Sequence, residues 1–330
     1  MRALVALTLA LLITTGAAAE PVASPNYWLT VEHSEGARYA GIARDGDALL
    51  ITNLADGRLY RRDATGRILP FGPLLPHGLD TFGDPTGPYR VVRAGSSFVV
   101  AQGWTPASQA AGPLDHALLR ISDAGKVTVV SNDLWNPYDF AIAGESFIVV
   151  DAARNSLERI SSSRGARETV FVFKRLKTDG AALETLSPTE FADKQPVEFD
   201  AVPTGIAAHE GRLYVSLFGG FPFLPGSGRV VSLPDSGKPA AAKIEADNLN
   251  APVDIAFAEP HAMLVVEHGT FGQATGWTAG SGRLLRIDLA SGKREILLEG
   301  LTRPVSVLVY DTRLIVVSDL DGNLHFLNRR

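Results

Sequence analysis

The sequence predicts an all-β protein, a six-bladed β-propeller whose ring is closed by an N-terminal strand that completes the last blade. An apolar segment, proline-led in five of its six copies, recurs along the chain. The six copies are anchored at Tyr39, Pro88, Pro137, Pro203, Pro252 and Pro304. The intervals of 49, 49, 66, 49 and 52 residues are typical of a repeat architecture. Each repeat contains strand-like runs, and no stretch shows clear helical periodicity.

The elements of each repeat follow the same order. The strand after the anchor ends in a Gly- or Asp-containing turn, such as 44–47 or 209–211, which suits a hairpin. The second strand is apolar on both faces, so neighbouring blades must cover both sides of each sheet. The second strands contain 49–51, 98–100, 147–150, 213–215, 264–266 and 315–317. A third strand and an outer fourth strand follow, as at 283–286 and 295–298.

The two ends of the chain are predicted to meet in one blade. The sixth repeat reaches Arg330 directly after its third strand, and the run 27–31 can supply the fourth strand. Pairing these segments leaves no open sheet edge on the ring. We therefore expect 20–330 to form one six-bladed domain.

Residues 1–19 have the pattern of a secretory signal peptide. Arg2 precedes the apolar run 3–13, and three alanines at 17–19 precede Glu20. An uncleaved membrane anchor is the alternative, but the run is short for about 30 Å of hydrocarbon. We expect a periplasmic or secreted monomer with no stable membrane insertion after cleavage.

Composition excludes several classes of function. The chain of 330 residues has no Cys, which excludes disulfides and thiolate catalysis. Its formal charge is −5, and no Lys/Arg cluster is present, which argues against a nucleic-acid partner.

The long insertions are expected on one face of the ring, because second-to-third-strand and blade-to-blade connections share a face. They are 72–87, 103–114, 174–200, 217–228 and 268–281. Trp104, Phe221, Phe223 and Trp277 make these loops unusually aromatic. The rings either pack on one another as a cap or form an apolar groove for a small molecule or a protein partner.

Two repeat positions are expected to point at the central channel. One lies two residues after each anchor and the other directly after each apolar second-strand run. The residues at these positions include Arg90, Asp139, Asp151, Asp254 and Glu267, and His268 comes directly after Glu267 in the sequence. Carboxylates around a narrow opening repel unless a cation or Arg90 lies among them. Asp139, Asp254 and Glu267 are therefore candidate ligands for Ca²⁺ or Mg²⁺, while the alternative is that such acids accept backbone N–H bonds.

Several motifs resemble one known family. They are the strand 202–207, the Gly-Gly-Phe-Pro-Phe loop at 219–223, the return at 228–230 and the later run 264–268. In these the chain resembles the ScyD/ScyE family of exported six-bladed propellers, best over 200–320. It is similar more distantly to NHL, gluconolactonase-like and sugar-dehydrogenase-like propellers. The segment 216–219 departs from the family's Gly-Glu-Leu-Thr form. The resemblance implies an exported propeller and assigns no reaction.

Two functional hypotheses follow. The first is a binding or scaffold propeller that presents its aromatic face to a ligand or partner. The alternative is a metal-dependent hydrolase or lactonase of the gluconolactonase type that uses the channel carboxylates. A quinone- or sugar-linked oxidoreductase is a third class, suggested only by Glu267-His268-Gly269.

Overall fold

A computed structural model describes residues 20–80, 83–104, 112–178, 196–236 and 241–330. The expected signal peptide and most of the insertion 174–200 lie outside these residues. No helix in the described part of the chain is long and apolar enough to cross a membrane.

The described chain forms six four-stranded antiparallel blades, which confirms the predicted propeller. Blades 1 and 2 comprise Tyr39–Asp45, Ala48–Asn53, Arg58–Arg62 and Ile68–Phe71, then Pro88–Ala94, Ser97–Gln102, Ala117–Ser122 and Val127–Ser131. Blades 3 and 4 comprise Pro137–Ala143, Ser146–Asp151, Ser156–Ser161 and Arg167–Val172, then Pro203–His209, Arg212–Leu217, Gly228–Pro234 and Lys243–Leu249. Blade 5 comprises Pro252–Glu259, Ala262–Glu267, Gly282–Asp288 and Arg294–Leu301.

Blade 6 is closed by the N-terminal strand, as the sequence predicts. Its first three strands are Pro304–Val309, Leu314–Asp319 and Asn323–Arg329, and Tyr27–His33 pairs with the last of these. An additional short strand, Val22–Ala23, pairs with the outer strand of blade 5. The N-terminal segment therefore contacts two blades, and its second contact was not predicted.

The core lies between the blades. The first strand of each blade packs beside the first strand of the next, and blade 6 returns to blade 1. Second-strand residues on both sheet faces are buried, as Leu50 and Ile51 in blade 1 and Val149 and Val150 in blade 3 illustrate. This burial agrees with the doubly apolar pattern of these strands.

A register shift occurs where the first two strands of every blade meet. In blade 3 the anchor Pro137 pairs with Asp151, but Asp139 already pairs with Val150. Such a β-bulge turns side chains out of the regular alternation. It decides which repeat positions reach the central channel.

Short two-stranded ribbons stand in three of the long insertions. They pair Gly78–Leu79 with Pro85–Thr86, Leu176–Thr178 with Val197–Phe199, and Phe271–Gly272 with Gly276–Trp277. A 3-10 turn at Gly112–Leu114 lies in a fourth insertion. The ribbons hold insertion side chains around the mouth of the channel.

Candidate functional site

A cavity of about 460 Å³ lies at the mouth of the channel, between the insertions. Its apolar and aromatic lining consists of Leu54, Pro85, Tyr89, Tyr138, Ala152, Phe199, Val202, Phe218, Gly220, Phe221, Phe223, Trp277, Val305 and Leu320. Its polar lining consists of Asp80, Asp84, Asn136, Arg175, Glu198, Asp200, Thr204, His268 and Arg303. Four of the five insertions contribute, and no described residue of 103–114 does. The volume and the mostly apolar lining are typical of small-molecule sites.

The floor of the cavity is built from one repeat position. The residues that follow the anchors directly include Tyr89, Tyr138, Thr204 and Val305, and all four line the cavity. The rings of Tyr89 and Tyr138 stack with their centroids 4.4 Å apart. Both tyrosines also line the narrow channel below, so they separate the cavity from it.

A second repeat position forms the inner wall. It is the residue directly after each second strand, which donates its backbone N–H to the residue before the anchor, as His268 does to Ala251 at 2.9 Å. Five of these six residues line the cavity: Leu54, Ala152, Phe218, His268 and Leu320. The cavity-facing position thus lies one residue later than the sequence analysis placed it.

An aromatic cluster forms one side of the cavity. The indole of Trp277 lies 5.6 Å from the ring of Phe218 and 5.4 Å from that of Phe223, between ring centroids. Phe221 contacts Phe223 at 6.0 Å and is 47% exposed. The rings of Phe218, Phe221, Phe223 and Trp277 therefore pack on one another and also line the cavity.

A polar cluster stands beside this aromatic wall. Nη2 of Arg303 donates to Oδ1 of Asp84 at 2.5 Å, and Nε lies 3.4 Å from Nε2 of His268. Nδ1 of His268 lies 2.9 Å from the carbonyl oxygen of Pro304. Since a carbonyl only accepts, Nδ1 carries the proton and Nε2 is an acceptor. Burial, and then the charge of Arg303, lower the pKa of His268 to about 3, so this imidazole is neutral at physiological pH.

The charges around the cavity are largely compensated. Asp200 pairs with Arg175 at 3.0 Å, and Glu198 with Lys177 at 2.6 Å. Oδ1 of Asp80 accepts the backbone N–H of Asp84 at 2.9 Å. The cavity therefore offers no strong uncompensated charge to a ligand.

Below the floor, the residues two positions after the anchors line the channel, as predicted: Gly41, Arg90, Asp139, Gly205, Asp254 and Ser306. Their side chains connect blades. Nη1 of Arg90 donates to the carbonyl of Ile42 in blade 1 and lies 3.1 Å from Oγ of Ser306 in blade 6. The guanidinium also lies 3.3 Å from Asp139 and 3.9 Å from Asp254.

Both channel aspartates accept backbone donors from the next blade. Oδ2 of Asp139 accepts the N–H of Ile206 at 3.1 Å, and Oδ2 of Asp254 accepts the N–H of Val307 at 2.9 Å. Burial raises the pKa of Asp139 to about 7, although the charge of Arg90 opposes this shift. Burial likewise raises the pKa of Asp254. The cluster joins blades across a channel too narrow for a bound organic molecule.

The expectation that Asp151 and Glu267 face the channel is wrong. The Asp151 carboxylate accepts the backbone N–H groups of Trp135 and Asn136 at 2.8 and 2.9 Å. Glu267 accepts the N–H of Asn250 at 2.7 Å and pairs with Arg283. Both acids are fully buried at the end of a second strand and bond to the connection that enters their own blade.

Trp104 also lies apart from the described cavity lining. Its backbone N–H donates to Oδ1 of Asn136 at 3.0 Å. Of the predicted site residues, Phe221, Phe223, Trp277 and His268 meet at the cavity, and Arg90, Asp139 and Asp254 meet in the channel.

The carboxylates do not fit a divalent-cation site. Glu267 lies apart from Asp139 and Asp254, and the guanidinium of Arg90 already lies beside those two, at 3.3 and 3.9 Å. Among the described residues, no group of three or more His, Asp or Glu side chains is arranged to hold a metal ion.

Sequence reasoning missed Arg303, Asp84 and the stacked tyrosines. The tyrosines occupy a fixed repeat position and could have been found by aligning the repeats. Arg303 and Asp84 are 219 positions apart in the chain, and no local pattern joins them.

Comparison with known proteins agrees with the architecture. No protein-family model and no curated protein sequence matches the chain. A streptogramin B lyase is similar in structure, with a TM-score of 0.55 and 14% identity over 92% of this chain and 98% of that one. A catalytically inactive histidine-to-alanine variant of virginiamycin B lyase from Staphylococcus aureus, with quinupristin, gives a TM-score of 0.54 and 13% identity over 92% of this chain and 100% of that one.

A putative gluconolactonase gives a TM-score of 0.54 and 11% identity, covering 92% of both chains. At these identities the likeness establishes the fold and nothing finer. The chain is a six-bladed β-propeller whose structural neighbours include lyase and gluconolactonase-like propellers.

Proposed function

We propose that the protein binds a small, uncharged and predominantly apolar molecule in the cavity at the mouth of its channel. The observation that carries this proposal is the cavity itself, with its stacked-tyrosine floor, its aromatic wall and its compensated charges. Burying an apolar ligand of this size supplies the main driving force for such binding. The neighbour described with quinupristin supports the idea that a propeller of this shape can accommodate a small molecule.

The residues favour binding over hydrolysis. A general base works best when its pKa is near the operating pH, and that of His268 is lowered to about 3. The pKa of Asp139 is about 7, but Asp139 and Asp254, on which the lactonase hypothesis depends, lie below the tyrosine floor in a channel too narrow for an organic substrate. Arg90 and backbone N–H donors also engage both carboxylates. We therefore prefer ligand binding in the cavity over hydrolysis as the proposed function.

The proposal also includes the family, the cellular location and the oligomeric state of the protein. The Gly-Gly-Phe-Pro-Phe loop, which contributes Phe221 and Phe223 to the cavity, supports membership of the ScyD/ScyE family. The pattern of 1–19 supports export to the periplasm or the medium, and we propose that the mature chain acts as a monomer.

Fluorescence titration with N-phenylnaphthylamine, an uncharged probe that brightens in apolar surroundings, tests the proposal. We expect saturable binding to one site. Phe221→Ala and Phe223→Ala should each weaken the affinity about tenfold, because each removes apolar contact area from the ligand. Phe221 is 47% exposed, so its variant should unfold at nearly the wild-type temperature.

The matched control is Phe257→Ala. Phe257 stacks on His209 with a centroid distance of 3.9 Å, away from the cavity. This variant should bind the probe like the wild type. Non-saturable fluorescence, or equal loss of affinity in all three variants, would contradict the proposed cavity site.

A further inference from the structure

The polar cluster beside the aromatic wall contains one unused donor group. A guanidinium has five N–H donors in a fixed plane. Nε of Arg303 faces His268, and Nη2 donates to Asp84. Among the described residues, Nη1 has no hydrogen-bond partner, while the side chain lines the cavity and retains 19% exposure.

The guanidinium is held in place before any ligand arrives. Asp84 contacts it on one side, and the neutral imidazole of His268 contacts it on the other. His268 is itself fixed by its bond to Pro304 and by Trp277, whose ring centroid is 4.7 Å from its own. A donor held by its neighbours loses little conformational entropy when it binds an acceptor.

The chemistry of the acceptor follows from the surroundings. Asp84 neutralises the charge of Arg303, and Asp200 and Glu198 are paired with Arg175 and Lys177. An anionic ligand would therefore lose its hydration without gaining a free positive charge, whereas an uncharged oxygen can accept from Nη1 at a lower cost of desolvation.

We infer that the ligand carries a carbonyl oxygen, as in a ketone, ester or amide, which accepts a hydrogen bond from Nη1 of Arg303 while its apolar body lies against Trp277 and Phe218. This inference rests on the proposed cavity function and assigns its chemical specificity. Arg303 is the residue that distinguishes a carbonyl-bearing ligand from a pure hydrocarbon of the same shape.

Three naphthalene probes test the inference. They are Prodan, which is uncharged and has a ketone, its dimethylaminonaphthalene parent, which lacks the propionyl group, and a naphthoate. The wild type should bind Prodan about tenfold more tightly than the parent, since a hydrogen bond from a charged donor is lost. The naphthoate should bind more weakly than Prodan.

Variants assign the effect to one residue. Arg303→Met should bind Prodan about tenfold more weakly than the wild type and bind the parent unchanged. Arg62→Met, which removes an equally buried arginine that pairs with Glu32 outside the cavity, should keep the wild-type selectivity. Asp84→Asn should strengthen naphthoate binding, because it leaves the charge of Arg303 uncompensated. Thermal unfolding of each variant verifies that it is folded.

The outcomes separate the two proposals. Equal affinity of the wild type for Prodan and its parent would overturn the carbonyl inference and leave the cavity function standing. The inference would also fail if a folded Arg303→Met kept the preference, or if the naphthoate bound most tightly. Absence of binding by all three probes would overturn both proposals.

Discussion

Single residues in the channel act as bridges between blades. Arg90, Asp139 and Asp254 each contact a neighbouring blade. Gly41 has no side chain, so the backbone of Tyr89 can pack directly against it. A Cβ at Gly41 would lie 2.3 Å from the carbonyl oxygen of Tyr89. The repeat showed that these positions converge, because it placed them at a constant distance from the anchors. It could not show that the guanidinium of Arg90 lies beside both Asp139 and Asp254, because that depends on contacts between repeats.

The raised pKa of Asp139 predicts a pH dependence of stability. The unfolded carboxyl loses its proton near pH 4 and the folded one near pH 7, so the folded state binds more protons between these values. The contribution of Asp139 to stability is complete below pH 4 and is lost as the pH rises to 7. The side chain of Asn cannot ionise. As the pH rises from 5 to 8, the free energy of unfolding of Asp139→Asn should therefore fall by about 2 kcal/mol less than that of the wild type.

Urea unfolding at a series of pH values measures this difference. Asp123→Asn is the control, because the Asp123 side chain is 58% exposed and contacts Arg93 at the surface. It should retain the wild-type slope. An Asp139→Asn slope as steep as that of the wild type would show that another group carries the pH dependence.

At the scale of elements, the alternation of the second strand determines the site. It directs an acid such as Glu267 against the connecting chain and the next residue, His268, against the cavity. Sequence reasoning found the correct end of the strand but was one residue off, because the second strands are apolar on both faces and their pattern does not show which residue faces which side. The ribbons that hold the insertions were also missed, since their strands of two or three residues are too short for alternation to show.

Adjacent substitutions at this strand end should affect different properties, stability for one and probe affinity for the other. Glu267→Gln loses the ion pair with Arg283 and should lower the free energy of unfolding by about 2 kcal/mol, while leaving N-phenylnaphthylamine affinity unchanged. His268→Ala removes a cavity wall and should weaken the probe's affinity about fivefold. Thermal unfolding and fluorescence titration of both variants check the pair. Loss of probe affinity in a folded Glu267→Gln would show that the acid takes part in the site.

At the scale of the whole molecule, the ring depends on the pairing of its two ends. The anchors and the doubly apolar second strands allowed six blades and the closing strand to be predicted from sequence. The contact of Val22–Ala23 with blade 5 was not predictable, because two residues carry no periodic signal. The meeting of Arg303 and Asp84 follows only from closure of the ring, which brings distant repeats together around one axis.

Closure can be tested on one face of the N-terminal strand. Leu29 pairs with Leu327 and packs against the core of blades 5 and 6, whereas the neighbouring Thr30 is exposed. Leu29→Asp should lower the free energy of unfolding by about 3 kcal/mol, since it places a charge against the core. Thr30→Asp should change it by less than about 0.5 kcal/mol. Equal effects of the two variants in urea unfolding would contradict the role of this strand.

A crystal structure of the protein soaked with Prodan tests the central claim most directly. We predict one probe molecule in the cavity above the stacked rings of Tyr89 and Tyr138, with its ketone oxygen within hydrogen-bond distance of Nη1 of Arg303. An empty cavity, with the probe bound only elsewhere on the ring, would contradict the account.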